Sequence, residues 1–277
     1  MSELDVDVAA FRQLVEYIDD DFAPMFGLTA VETVVDALGQ FSFNSVTPTA
    51  VGSTQITVVD AQGIEFDLRG TGFGPITSLT SLQTAFDDFI AAVELLDGTA
   101  TANVTSLTIR DTISATELAR WDVTPTRWTF TSENNEVRIN GALPDTLADI
   151  EDMITALVPD IETGDLVPSS SFNPATSVLA NYDFNSIELF ESNTLQSSLT
   201  FGASELRLQV GDYTAILSGT WPDDFAEIAE IGLLLNEGSP TTGYDLTRLQ
   251  ITDGQGQTVV DFTPQAMDLA DLGDDID

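Results

Sequence analysis

The sequence predicts an α+β protein rich in β-strand, with about three β-β-α-β-β repeats in one continuous body behind an N-terminal helical cap. Three observations predict it. Up to about residue 40, apolar residues recur at spacings of three and four, which is typical of an amphipathic helix. From about residue 41, Thr, Val, Ser and Phe alternate with polar residues, and Gly, Asn and Pro punctuate them. Three times along the chain, a predicted strand ends in a glycine and is followed by a segment with helical spacing.

Residues 1–40 are predicted to be a helical cap or assembly segment. Within residues 3–22, one apolar stripe is formed by Val8, Phe11, Leu14, Val15 and Ile18. Residues 29–38 predict a second helix, because Thr29 is a good N-cap and Gly39 follows the last apolar residue.

The remaining chain is predicted to alternate strands with short helices. Helices are expected over 78–96, 145–157 and 223–235, since each begins with Ser or Asp and carries one apolar face. A loop is expected over 158–177. Alternation predicts strands over 55–60, 63–70, 103–110, 117–123, 127–132, 135–141, 178–182, 186–191, 197–201, 204–210, 212–219, 244–252 and 257–262.

The proposed repeats are aligned on Gly70, Gly141 and Gly219, each at the end of a predicted strand. Two of the helices that follow also share an Asp-Asp-Phe sequence. This alignment divides the chain into repeat 1 over 41–126, a more diverged repeat 2 over 127–196, and repeat 3 with an acidic tail over 197–277.

Composition excludes many kinds of chemistry. The 277 residues include 8 basic residues, all of them Arg, against 46 acidic ones, for a net charge of −38, and there is no His or Cys. Disulfides, zinc and Fe–S sites, His- or Cys-ligated haem and imidazole or thiolate catalysis are therefore not expected. Without Lys, neither a pyridoxal phosphate site nor a nucleotide-binding P-loop is expected.

The charge also limits partners and location. Nucleic acid is not expected as a partner, because its phosphates attract Lys and Arg. No apolar stretch is long enough to predict membrane insertion. The acidic surface favours an extracellular or cell-surface protein in saline, calcium-bearing water, and the alternative is a halophile cytoplasm. The N-terminus lacks the basic and apolar regions of a cleaved signal, so the expected export route does without one.

Three groups of adjacent acids are candidate calcium ligands, because Ca²⁺ takes six to eight oxygen ligands. An alternative is that these acids are solvated starts of helices. Neither an EF-hand loop nor a calcium-binding GGxGxD repeat is present in the sequence. The candidates are Asp19, Asp20, Asp21, Asp87, Asp88, Asp223 and Asp224.

Carbohydrate is the alternative ligand. The aromatic residues Trp121, Trp128, Trp221, Tyr213 and Tyr244 would be stacking platforms if exposed, or core residues if buried. Glycoside hydrolysis needs two carboxylates at a set separation, and with 46 acids in the chain the sequence does not single out a pair. The isolated arginines are expected to pair with carboxylates and so to hold neighbouring strands together.

The run FDLRGTGFGPITSLTSLQTAFDDFIAAVELLDGT resembles the non-repeat β-rich modules of RTX-type exported proteins of alphaproteobacteria. The resemblance covers residues 60–125 and, more faintly, 200–264. It implies type I secretion and calcium binding, in a family that includes adhesins, matrix proteins and hydrolases. The calcium-binding nonapeptide repeats of that family are missing from this chain.

Together these observations predict an exported, non-catalytic structural or adhesive protein. Its expected partners are copies of itself, joined in a surface or extracellular polymer that depends on calcium or salt, because an unscreened acidic surface repels its own copies. Two alternatives stay open at this point: a carbohydrate-binding or carboxylate-based carbohydrate-active protein, and a halophilic cytoplasmic protein of unrelated role.

Overall fold

A computed structural model describes residues 3–6, 47–52, 54–73, 102–157, 177–221, 226–227, 244–264 and 267–268. Of these residues 64% are in β-strands, which pair antiparallel, and 9% are helical. One α-helix, α1 (Leu147–Leu157), and one 3-10 helix (Val178–Asn181) are described in full. The strands are β1 (Glu3–Val6), β2 (Thr47–Val51), β3 (Gln55–Val59), β4 (Ile64–Thr71), β5 (Asn103–Asp111), β6 (Thr116–Thr124), β7 (Arg127–Ser132), β8 (Asn135–Gly141), β9 (Phe184–Glu191), β10 (Thr194–Gly202), β11 (Glu205–Val210), β12 (Tyr213–Gly219), β13 (Asp245–Thr252), β14 (Thr258–Thr263) and β15 (Met267–Asp268).

The predicted α+β fold with β-β-α-β-β repeats and a helical cap is therefore wrong. Glu3–Val6 is a strand rather than the start of a helix, because its alternating residues pair with β14 far along the chain. The rest of 1–40, the predicted helix 78–96 and most of 223–235 lie outside the described residues. The helix predicted at 145–157 is confirmed as α1, and the strand predicted at 178–182 is a 3-10 helix. The division at residues 126 and 196 stays a prediction.

The described residues divide into two compact units. The first unit spans Leu28–Arg138 and Leu143–Asp152, and its strands run in the order β7-β6-β5-β4-β3-β2. Side chains alternate between two faces of these strands. The apolar face is largely buried, with Val58, Ile109 and Ala119 in one cross-strand row and Ile56, Leu68 and Leu107 in the next.

Helix α1 begins at the end of this sheet. The Thr146 hydroxyl accepts a hydrogen bond from the Asp149 amide at 3.2 Å and donates one to the Asp149 carboxylate at 2.6 Å, which caps the helix. The flanking residues bond to β5 and to the residue before it: the Val104 amide donates to the Asp145 carbonyl, and the Leu147 amide donates to the Ala102 carbonyl. These bonds fix the start of the helix beside the first residues of β5.

The second unit spans Met1–Gly27, Ile139–Ala142 and Met153–Asp277, and its strands run in the order β9-β10-β11-β12-β13-β14-β1, with β15 also on β13. Ile251, Val259 and Val260 form one buried apolar cluster among its described residues. Elsewhere on its apolar face, cross-strand neighbours such as Leu199 and Leu208 are only half-buried. The apolar face of the second unit is therefore less completely covered than that of the first.

Three hairpins share one irregularity of pairing. In β5–β6, β9–β10 and β13–β14 the second strand holds one extra residue, so that its partners shift by one. The extra residues are Leu118, Gln196 and Val259. Such a bulge bends the strand and fixes the register of the pair.

Two of the three glycines that align the predicted repeats are required by close approaches of the backbone. A Cβ atom on Gly70 would lie 2.0 Å from the Asn103 carbonyl oxygen, and one on Gly219 would lie 2.0 Å from the Asp245 carbonyl oxygen. At both places the pairing with the following strand shifts register. Only glycine leaves room for these contacts.

Candidate functional site

The polar face of strands β3–β6 in the first unit carries a group of charged side chains, and we call this surface the charged face. Alternation along β3–β6 places these side chains on the side opposite the buried apolar face. The charged face consists of Gln55, Thr57, Glu65, Asp67, Arg69, Ser106, Thr108, Arg110, Glu117, Arg120 and Asp122.

One row of the charged face alternates in sign across three strands. Glu65 on β4 stands opposite Arg110 on β5, which stands opposite Glu117 on β6. The Arg110 guanidinium contacts Glu65 at 3.0 Å and Glu117 at 3.8 Å. This arginine joins neighbouring strands, as the sequence predicted.

Most of the other arginines pair within their own strand. The partner is the carboxylate two residues away, which lies on the same face of the strand. Such pairs occur in both units: Asp67–Arg69, Arg120–Asp122, Glu136–Arg138 and Glu205–Arg207. The expected pairing with carboxylates is therefore confirmed for these four arginines, and these ion pairs lie within one strand rather than between strands.

Asp67 is the centre of a polar network on the charged face. Its side chain is only 5% exposed, whereas that of Arg69 is 58% exposed. One carboxylate oxygen accepts from Gln55 Nε2 at 2.8 Å and from Thr57 Oγ1 at 2.9 Å. The other accepts from Arg69 Nε at 2.8 Å. Three donors thus compensate the burial of one negative charge.

These donors also determine the acid–base behaviour of Asp67. Burial raises the pKa of the carboxyl group, but the hydrogen bonds from Gln55, Arg69 and Thr57 outweigh it, and the pKa lies below its usual value. A carboxylate with a lowered pKa and occupied oxygens is a weak general base. The arrangement is suited to holding β3 and β4 together rather than to taking a proton from a substrate.

A comparable cross-strand ion pair lies on the polar face of the second unit, between two of its described strands. Arg248 on β13 binds both carboxylate oxygens of Asp261 on β14, at 2.9 and 2.6 Å. Hydrogen bonds from Arg248 lower the pKa of Asp261. Since the pair is bidentate, it sets geometry as well as charge.

Several further acids are used in turns. Asp60 Oδ1 accepts from the amides of Gln62 and Ile64, and Asp253 Oδ1 accepts in the same way from Gln255 and Gln257. These are Asx turns, in which a carboxylate replaces a backbone acceptor. The two carboxylates therefore stabilise hairpins β3–β4 and β13–β14.

The seven calcium candidates, Asp19, Asp20, Asp21, Asp87, Asp88, Asp223 and Asp224, all lie outside the described residues. The structure therefore does not bring them together or separate them. Among the residues that it describes, no three metal-ligating side chains converge. Calcium binding stays a prediction.

The described tryptophans pack inside the protein rather than forming an exposed platform. Trp128 and Trp221 are buried, and their indole nitrogens donate to the carbonyls of Pro144 at 3.0 Å and Leu217 at 2.8 Å. Trp121 stacks on Phe130 at 5.6 Å between ring centroids and meets Trp128 edge-on at 4.9 Å. The Trp121 Nε1 atom is buried and has no acceptor within the described part of the chain.

The indole nitrogen of Trp128 has an acceptor and that of Trp121 has none among the described residues, which gives a prediction about these two tryptophans. Trp128→Phe leaves the Pro144 carbonyl without its donor, whereas Trp121→Phe removes a donor that has no described acceptor. We therefore expect Trp128→Phe to lower the free energy of unfolding by about 1 kcal/mol more than Trp121→Phe. Urea denaturation followed by circular dichroism would measure both variants. Equal losses, or a larger loss for Trp121→Phe, would contradict this interpretation of the two indoles.

No protein-family model and no curated protein matches the chain. No helix in the described ranges combines the length and the apolar character needed to cross a membrane.

Sequence reasoning missed Asp67 as a site residue. It is one of 46 acids, and nothing in its immediate sequence marks it. The available signal was its place in the alternation of β4, two residues before Arg69 and on the same face. That pattern predicts an ion pair, but burial and the partners on β3 follow only from the fold.

Proposed function

We propose that this is an exported, non-catalytic structural or adhesive protein that assembles with copies of itself when cations screen its charge. The distribution of arginine carries the proposal. The described arginines all lie on strands: Arg69, Arg110, Arg120, Arg127, Arg138, Arg207 and Arg248.

Six of these arginines contact carboxylates of the sheet, within one strand or across two. The positive charge of these six arginines is thereby paired within the sheet, and it does little to reduce the acidic excess elsewhere. Copies therefore repel each other at low ionic strength, and salt or a divalent cation removes that barrier.

The apolar face of the second unit adds support. Two cross-strand rows run over it, one through Ile187, Leu199 and Leu208, the other through Leu206 and Leu217. All five of these side chains are only half-buried. Partly exposed apolar area lets copies gain free energy on association once repulsion is screened.

Light scattering and negative-stain electron microscopy test the proposal. We expect monomers in chelator at low salt, and larger particles after millimolar Ca²⁺ is added. Sodium chloride at the same ionic strength is the control, since it separates general screening from bridging by calcium. Monomers under every condition would refute the proposal.

The proposed location has its own test. We expect to detect the intact chain in the culture medium of its native host, while a cytoplasmic marker stays in the cells. Recovery with the cytoplasmic marker alone would favour the halophilic cytoplasmic protein instead.

A further inference from the structure

Strands β1 and β2 end the order of the described strands, and each pairs with its neighbour at a place where another hairpin pairs with a longer, regular strand. The places can be compared by counting residues from the extra residue, or bulge, in the second strand of each hairpin. Three residues after it stand Trp121, Leu199 and Phe262. Their partners on the next strand are Phe130 of β7, Leu208 of β11 and Leu4 of β1.

The agreement extends along the strands. The next residue on each strand pairs in the same antiparallel way, without a register shift. These pairs are Asp122–Thr129, Thr200–Arg207 and Thr263–Glu3. Strand β1 therefore occupies on β14 the place that β7 has on β6 and that β11 has on β10. It holds that place with only four residues.

Strand β3, which lies next to the edge strand β2, corresponds in register to β11 of the second unit. Val58 pairs with Phe66, four residues before Gly70, just as Leu208 pairs with Ala215, four residues before Gly219. Leu208 pairs on its other side with β10 in unbroken register. On β3 that side is taken by β2, which contains Pro48 and a register shift.

We propose that β1 and β2 are replaceable strands, and that a second copy of this chain displaces them to form a β14–β3 joint between copies. In this joint, Phe262 of one copy stands opposite Val58 of the next, in the register of β6–β7 and β10–β11. The inference rests on the proposed function, and it names the surfaces through which assembly runs.

The exchange replaces weaker pairs with a regular one. Proline cannot donate to the ladder, and a register shift interrupts it, so β2 is a poor partner for β3. Strand β1 places Asp5 opposite Asp261, and like charges directly opposite each other destabilise a strand pair. In the new joint, Val59 takes the place of Asp5. Head-to-tail pairing of this kind leaves a free edge at each end, so it produces filaments.

A reversible covalent lock tests the role of β1. Glu3 and Thr263 are register partners, and the natural chain has no cysteine, so Glu3→Cys with Thr263→Cys creates a single possible intramolecular disulfide. We expect the oxidised protein to stay monomeric in calcium or salt, and the reduced protein to assemble like the wild type. Equal assembly of both forms would overturn this inference while leaving the proposed function standing. A wild type that never assembles would overturn both.

A releasing variant gives the opposite effect. Asp5→Pro removes a backbone donor from β1 at the register partner of Asp261 and so weakens the hold of β1 on β14. We expect assembly at a calcium or salt concentration several-fold lower than the wild type needs, with Asp5→Ala as the control for the lost charge. If the outer edge of β1 were itself the interface, Asp5→Pro would abolish assembly, and that result would overturn the inference.

Cross-linking identifies the joint directly. A mixture of the two single variants Asp261→Cys and Val59→Cys is expected to give a disulfide-linked dimer of unlike chains under assembly conditions. Each variant alone is the control and is expected to give less. Absence of the mixed dimer while particles form would show that copies join elsewhere.

Discussion

Replacing Gly70 or Gly219 with alanine is expected to destabilise the protein by about 3 kcal/mol, the upper end of what overpacking usually costs. An added Cβ atom at either position would lie 2.0 Å from a backbone carbonyl oxygen, a distance that no side-chain movement relieves. The following strand would have to move away, and the adjoining ladder bonds would weaken. Urea denaturation followed by circular dichroism measures the loss.

Gly52→Ala is the matched control, since a Cβ atom there meets nothing within 4 Å. We expect this variant to unfold within about 0.5 kcal/mol of the wild type, as ordinary surface substitutions do. Similar losses in all three alanine variants would show that the close approaches are not the cause, since the effect of alanine on the unfolded chain favours folding.

Replacing Asp67 with alanine is expected to lower the free energy of unfolding by about 2–3 kcal/mol, because the buried Thr57 hydroxyl and the half-buried Gln55 amide lose their acceptor. Asp122→Ala is the control, because Asp122 also pairs with an arginine two residues away but is 37% exposed. Exposed pairs contribute less, so we expect a loss below about 1 kcal/mol for the control. Equal losses would refute the special role of the buried network.

The same carboxyl group predicts how stability depends on pH. Its folded-state pKa is lowered, so the unfolded chain binds the proton more readily. Its contribution is therefore complete well above about pH 3.9, the usual pKa of Asp, and is lost as the pH falls through the lower folded value. Denaturation midpoints of wild type and Asp67→Ala should converge as the pH falls below that range. A difference that stays constant down to pH 2 would contradict this.

Much of the sheet follows from the sequence because strands have a simple period. The predicted strand at 127–132 coincides with β7 and the one at 135–141 with β8. Both alternate apolar and polar residues between clear turns, and a strand with one buried face needs no more than that. Gly70 and Gly219 were also found from sequence, since each ends a strand at a place where its pairing changes.

The edges and the site did not follow in the same way. Strand β1 is too short to show its period, and its partner lies more than 250 residues further along the chain. Strand β2 contains Pro48, which argues against a strand unless it lies at an edge. Asp67 is buried by the strands beside it, and local sequence does not encode which of many acids a fold will enclose.

The within-strand ion pairs also bear on how the protein tolerates a changing environment. A pair such as Arg120–Asp122 joins two residues that the backbone already joins, so dissolving it removes no link between strands. Brine would weaken these contacts and leave the hydrogen-bonded ladders, which transmit load across the sheet, intact. These within-strand pairs therefore couple the cohesion of the sheet only weakly to ionic strength. In the proposed assembly, salt that screens the repulsion between copies would leave the strand pairing inside each copy in place.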